Sequence, residues 1–263
     1  MLSLRQLRYF DAVARHGHFG RAAEHCSVTQ PALSMQLREM EAELGLKLVE
    51  RGPRGIRLTE AGGEVARRAA RILAELRDLK DFAAQSAAPL SGTLRLGVIP
   101  SVAPYLLPPL LPLLQRAYPG LDLAIRETQP RALVTQLLEG TLDVLLLALP
   151  IEEAGVETAV LFKDRFLLAL PPRASLDKKV RATPELLRHD RLLLLEEGHC
   201  LRDQALAVCE LAQIDGITTL GASSLSTIVQ MVANGLGLTL LPQISVPLEM
   251  RAQGHIVVRR FEP

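Results

Sequence analysis

Tryptophan is absent from the 263-residue chain, and aromatic residues of all kinds make up 3% of it. A platform of stacked aromatics for unpaired nucleic-acid bases is therefore not expected. Cysteine occurs three times, at Cys26, Cys200 and Cys209. That is too few and too scattered for a disulfide framework, and it points to a reducing cytoplasm. Long apolar runs are missing: the stretch 144–149 falls far short of the ~20 residues that cross a bilayer, so no membrane is expected. The first apolar pattern carries Arg5 and Arg8, which rules out a signal peptide. Charge of one sign is not in excess either, since 30 Lys and Arg against 29 Asp and Glu leave +1. That balance hides how the charge is distributed and excludes nothing by itself. No cofactor and no metal site is expected.

What remains is ordinary for a globular protein, 48% hydrophobic and 22% charged, and long enough for two or three small domains. Leu4, Leu7, Phe10, Val13 and Ala14 recur at helical spacing up to Gly17. A short helix around 20–25 follows, with small Ala22 and Ala23 for close packing. Thr29-Gln30-Pro31 reads as an N-cap with proline in the first turn. The third helix runs to about Leu44, buries Leu33, Leu37, Met40 and Leu44, and presents Gln30, Ser34 and Arg38 on another face. This is the pattern of a helix-turn-helix with a polar reading helix. A hairpin follows, 47–51 and 56–58 around Gly52-Pro53-Arg54-Gly55, and reads as a wing. Arg54 at its tip could enter a narrow minor groove. Arg51, Arg54 and Arg57 flank one turn, where phosphates would lie.

Thr59 then caps a long helix over 60–85. Val65, Ala69, Ile72, Leu76, Leu79 and Ala83 follow a 4-3-4-3-4 spacing, an a/d seam that predicts pairing with a second copy. A linker over 85–92 leads into alternating strands and helices, an α/β architecture in two parts with a crossover near 161–165. Strands are expected near 94–99, 121–125, 144–149, 166–170, 192–195, 218–220, 238–241 and 256–258. Helices are expected from Ser101 to about Tyr118, over 133–138, over 201–211 and over 224–233.

The stretch Glu197-Gly198-His199-Cys200-Leu201-Arg202-Asp203-Gln204 holds the most reactive-looking chemistry. A histidine beside Cys200, an arginine two residues on and a helix N-terminus all favour thiolate. On one regular helix Cys209 would lie about 13 Å away along the axis, whereas a disulfide needs Cα atoms within roughly 7 Å. Two readings stand side by side. The pair is a redox switch that needs refolding, or both cysteines are small packing hydrophobes.

The chain resembles the LysR-type transcriptional regulators. The likeness is carried by Phe19-Gly20-Arg21-Ala22-Ala23, Thr29-Gln30-Pro31-Ala32-Leu33-Ser34, Leu37-Arg38-Glu39-Met40-Glu41, Leu44-Gly45, Arg51 and Leu58-Thr59-Glu60-Ala61-Gly62. It implies a winged helix-turn-helix over 1–58, a linker and dimerisation helix with a hinge over 59–91, and a two-lobed effector domain over 92–263. That domain is similar to periplasmic binding proteins, with lobe I at about 92–164 and lobe II at about 165–263. Family members run further at the C-terminus, so the second domain is expected to be truncated.

Gly97-Val98-Ile99-Pro100, Pro104-Tyr105-Leu106-Leu107-Pro108 and the stretch 196–204 are similar to the hydrogen-peroxide-sensing branch of that family. The resemblance implies that Cys200 attacks peroxide, that Cys209 closes a disulfide, and that a cellular dithiol reduces it again. It implies a peroxide pocket of His199, Arg202 and Asp203, in roles left open among them, with Ser101 where relatives carry threonine. Pro130 stands where they carry a second threonine, leaving Thr128 as a substitute donor. Cys26 is expected to be a packing residue. The implied partners are double-stranded promoter DNA, RNA polymerase and further copies of the chain, as dimer or tetramer. Two rivals remain. One is a regulator of the same family with an organic effector between the lobes and merely structural cysteines. The other is a peroxidase enzyme, against which the helix-turn-helix argues.

Overall fold

The computed structural model describes residues 1–52, 55–85, 90–172, 182–183, 187, 191–211, 219–253 and 256–261. The chain divides into two compact units: Met1–Leu94 with Thr135–Asp143, and Arg95–Val134 with Val144–Pro263.

The first unit opens on helix α1 (Leu4–His16), α2 (Phe19–His25) and α3 (Gln30–Leu44). Ser3 and Gln6 form a reciprocal cap on α1, the Ser3 Oγ accepting from the Gln6 amide at 3.2 Å and the Ser3 amide donating to Gln6 Oε1 at 2.9 Å. Gly17 ends α1 in the left-handed conformation, φ 59°. His18 caps α2 by accepting from the Gly20 amide at 3.0 Å. Thr29 precedes α3 as expected but makes no side-chain cap bond. Pro31 at the second helical position has no N–H to offer, which removes one of the usual donors. Phe10, Val13, Ala22, Leu33, Leu37 and Met40 form the shared core.

A two-stranded antiparallel hairpin, β1 (Val49–Gly52) and β2 (Gly55–Leu58), follows. Its base converges on Leu48. Glu41 Oε1 on α3 accepts from the Leu48 amide at 2.8 Å and from the Val49 amide at 3.3 Å. The Leu48 carbonyl accepts from the Thr59 amide at 3.0 Å, and the Leu48 side chain is fully buried. Thr59 Oγ1 donates to the Lys47 carbonyl at 2.6 Å and accepts from the Gly62 amide at 2.9 Å. Helix α4 (Glu60–Gln85) starts so close to this strand that a Cβ on Gly62 would lie 1.9 Å from the Leu48 oxygen. At the hairpin's other strand, the Ile56 amide donates to the Gly17 carbonyl at 3.1 Å. The hairpin is thus pinned to the helices at both strands.

The stripe on α4 does not stay together. Ala69 and Leu73 are buried against α1, with Val65 and Ala66 packed beside them, because the first turns of α4 lie across α1. Ala69 is therefore taken up in the core of its own chain, and Val65 is half-buried beside it. Ile72 and Leu79 remain exposed, at 48% and 64%, and Leu76 is half-buried. Further along, Arg77 donates to the carbonyl of Gly140, whose positive φ and contact with Ala74 leave no room for a side chain.

The second unit carries its strands in short sheets flanked by helices. Strand β3 (Gly92–Val98) lies between β4 (Leu121–Glu127) and β5 (Val144–Leu146), and pairs with β5 in parallel. Helix α5 (Ala103–Ala117) joins β3 to β4, and α6 (Pro130–Leu138) precedes β5. Beyond the segment 147–165, β6 (Phe166–Leu170) is central between β9 (Thr239–Pro242) and β10 (Val257–Arg260), antiparallel to both. Strand β7 (Leu192–Leu195) pairs in parallel with β8 (Thr219–Ala222). Helices α7 (Cys200–Leu211), α8 (Leu225–Ala233) and α9 (Val246–Gln253) complete it. All of β7 and β9, and β6 after Phe166, are buried. This is why these strands read as unbroken leucine runs rather than alternating patterns. The strand expected over 144–149 stops at Leu146, and α9 had no expected counterpart: its apolar positions are interrupted by Pro247 and Glu249.

Gly62 and its neighbour Gly63 provide a paired test. A Cβ on Gly63 would meet nothing within 4 Å. Gly63→Ala should stabilise the protein by up to about 1 kcal/mol through helix propensity. Gly62→Ala should destabilise it by about 1–3 kcal/mol through overpacking. Thermal unfolding of the two variants against the parent reads the sign of each.

Candidate functional site

The strongest site candidate is built on the link from β7 to α7. Strand β7 ends at Leu195, and Gly198 makes the turn with φ +90°. A Cβ there would sit 2.9 Å from Gln129 Oε1, so the turn also needs glycine for the close approach of the Gln129 side chain. His199 is buried, and its carbonyl accepts from the Arg202 amide at 2.9 Å as the first turn of α7 forms. Cys200 is the first helical residue, one position earlier than the residue pattern suggested. Ser101 is buried just past the C-terminal end of β3 and lines, with Ala148, Leu149, Phe162 and Leu201, a largely apolar cavity of about 580 Å³. Positions beyond the C-terminal ends of strands are where open α/β sheets commonly place ligands.

Burial dominates the electrostatics of Cys200. Loss of water pushes its thiol above the ordinary value, and the Asp203 carboxylate adds to this. Hydrogen bonds from the backbone amides of Ala148, Cys200 and Leu201 act in the opposite direction and do not overcome it. The expected thiolate stabilisation by Arg202 is thus not what governs this thiol. Arg202 turns away, its Nη1 donating to the Leu195 carbonyl at 3.2 Å. The helix N-terminus does contribute, through the Leu201 amide.

Cys209 lies on the same uninterrupted helix and is 2% exposed. It packs among Leu168, Leu170, Leu192, Leu194 and Ala205, and burial raises its thiol as well. All three cysteines are free thiols. Nine residues of continuous helix hold Cys200 and Cys209 about 13 Å apart along the axis. Cys26 is half-buried against the first core, and desolvation raises its thiol too.

The other singled-out residues fall as follows. Thr128 is half-buried and its amide donates to the Val98 carbonyl at 3.3 Å. Pro130 is the first residue of α6, a position whose N–H would be unpaired in any case. Asp203 is exposed. On α3, Gln30, Pro31 and Arg38 are exposed and Ser34 is half-buried. Arg54 lies outside the described residues. Gln129 and Gln204 were not among the expected site residues. Gln204 Nε2 donates to the Leu149 carbonyl at 2.8 Å. Its place in the stretch 196–204 was the available signal; for Gln129 it was the Glu-X-Gln pattern of 127–129, just past the end of β4. Among the described residues no cluster could hold a metal ion, and no helix is long and apolar enough to cross a membrane.

Residues 4–63 match the bacterial regulatory helix-turn-helix protein of the lysR family, and residues 87–263 match the LysR substrate binding domain. The chain belongs to the LysR family. Within it, a probable hydrogen peroxide-inducible genes activator of Streptomyces viridosporus is 46% identical over 98% of this chain and 83% of its own length. The DNA-binding transcriptional dual regulator OxyR of Escherichia coli K12 is 40% identical over 100% of this chain and 86% of its own. Among solved structures, a full-length OxyR cysteine-to-aspartate variant from Pseudomonas aeruginosa superposes with TM-score 0.83 at 38% identity, covering 100% of this chain and 85% of that one. A hydrogen-peroxide-bound cysteine-to-serine variant of Corynebacterium glutamicum OxyR does so with TM-score 0.65 at 34% identity, covering 99% and 82%. As a LysR-family chain it joins an N-terminal helix-turn-helix to a substrate-binding domain of mixed helix and sheet, OxyR-like in structure.

Because folding raises the Cys200 thiol, the protonated form prevails at neutrality and the reactive thiolate fraction grows with pH. The rate of Cys200 oxidation by peroxide should therefore keep climbing from about pH 7 to about pH 9. A rate that levels off near neutrality, followed by thiol mapping across that range, would show instead a thiolate already formed.

Proposed function

We propose that this chain is a hydrogen-peroxide-sensing, DNA-binding transcriptional activator of an oxidative stress response, switched by a reversible Cys200–Cys209 disulfide. The observation that carries the reading is the placement of two free cysteines on one continuous helix, one at its start and one in its core face. The names of the relatives at 40–46% identity support it.

The chemistry runs in two steps. The Cys200 thiolate attacks one peroxide oxygen; the O–O bond breaks, an S–O bond forms, and the second oxygen leaves as hydroxide, protonated to water. Ser101 lines the cavity beside the start of α7, and buried His199 precedes Cys200 in the chain. The Cys209 thiol then attacks the sulfenic sulfur, the S–O bond breaks, and water leaves as the S–S bond forms. Helix α7 cannot hold that bond, so 200–209 refolds and the surface around it changes. A cellular dithiol returns both thiols. The N-terminal helix-turn-helix favours a sensor over a peroxidase enzyme.

The DNA end follows from the first unit. Helix α3 reads the major groove through Gln30, Ser34 and Arg38, with Pro31 setting its start, and the β1–β2 hairpin is the wing, carrying Arg54. Exposed Ile72 and Leu79, with half-buried Leu76 between them on α4, pair with a second copy, and the substrate-binding domain divides into two lobes that assemble dimers into a tetramer. Promoter DNA and RNA polymerase are the partners, and the cytoplasm the compartment. A second reading has its own observation. The apolar cavity beside Ser101 is large enough for a small organic effector, with the cysteines structural.

Cys200→Ser should abolish peroxide-dependent transcription, and Cys209→Ser should accumulate sulfenic acid on Cys200 without an intramolecular disulfide, as read by mass spectrometry of trapped thiols. A peroxide response that survives Cys200→Ser gives the site to the organic effector. Ile72→Asp buries an unpaired charge if α4 pairs, at a cost of several kcal/mol. Sedimentation should then show loss of the dimer.

A further inference from the structure

Helix α7 is tied at its first turns to the stretch that follows β5. Gln204 Nε2 donates to the Leu149 carbonyl at 2.8 Å. Gln204 stands four residues after Cys200 and five before Cys209. Leu149 leads into the segment 150–165, which has no regular secondary structure. Any refolding that brings two residues about 13 Å apart along the helix axis to disulfide distance must unwind the helix that holds Gln204. The first oxidation, at Cys200 alone, needs no such unwinding.

We propose that Gln204 is a positioning residue for the redox switch: its bond to Leu149 latches α7 in the continuous, reduced arrangement and sets how readily the disulfide closes. The proposal rests on the disulfide reading above. It assigns Gln204 to the second step, because the latch must break only when the helix refolds. Loss of the latch favours the refolded, disulfide-bonded form by the net worth of the bond. Gln204 also lines the cavity beside Ser101, so the first step has to be read separately from closure.

The test uses the full chain with Gln204→Met, which keeps the length and loses the donor, and Gln204→Lys, which keeps a donor. Each is made alone and with Cys209→Ser. After a peroxide pulse, sulfenic acid trapping reads the first step in the Cys209→Ser proteins, and disulfide mapping reads closure in the others. Gln204→Met should close its disulfide about five-fold faster than the parent, the worth of one neutral hydrogen bond. Its midpoint potential should move negative by about 20 mV, the same factor in a two-electron couple. Gln204→Lys should stay near the parent, and sulfenic acid formation should change far less than closure. Parental closure and potential in Gln204→Met overturn the latch while leaving the disulfide reading intact. Equal changes in both steps place Gln204 in the peroxide step and overturn the proposal as well. Absence of sulfenic acid from Cys200 in the Cys209→Ser protein overturns the disulfide reading and the latch with it.

Discussion

The second unit turns on the continuity of one helix. Cys209 is held in a leucine core by its burial, and Cys200 is held at the helix start by the amides that close the first turn. Between them α7 is unbroken. A helix is a rigid spacer at this length, so the distance between the thiols follows from backbone hydrogen bonding alone. Gly198, Gln129, Ala148 and Leu149 are all arranged around the first turns of that helix.

A comparable convergence organises the first unit. Leu48 is gripped from three directions: by the Glu41 carboxylate, by the Thr59 amide and by the close passage of Gly62. These residues also carry much of the likeness to the LysR family. Their spacing makes sense as one junction, which sets the hairpin against α3. Glu41 satisfies two backbone donors at once, Thr59 caps the next helix, and Gly62 lets that helix start against the strand. The identities at these positions are therefore answers to backbone geometry, separate from any contact with DNA.

Charge and burial compete at Cys200, and burial prevails. The sequence neighbours His199 and Arg202 suggest a cationic surround, but neighbours in sequence on a helix point in different directions. Arg202 serves the end of β7 instead. The amides of the first turn provide what stabilisation of negative charge there is. Reactivity at this thiol then depends on what opens or enters the site.

Periodicity made the three helices, the hairpin and the long helix of the first unit legible, together with most strands of the second, because helix and strand repeats are local properties of the chain. The motif 196–204 marked the candidate site, and the nine-residue spacing of the cysteines implied their separation once a helix was assumed. Other features depended on tertiary contact. The stripe on α4 is divided because the first core takes up Ala69 and half of Val65 while leaving Ile72 and Leu79 bare, and a heptad pattern does not record which neighbour covers which position. Helix α9 was hidden because its buried Glu249 accepts from Tyr105 and Ser226, partners far away in the chain. The balance at Cys200 was likewise decided by desolvation, which arises only when distant strands close around a side chain. Local pattern determines what each segment becomes; packing determines which of its groups lose water and which partners they gain.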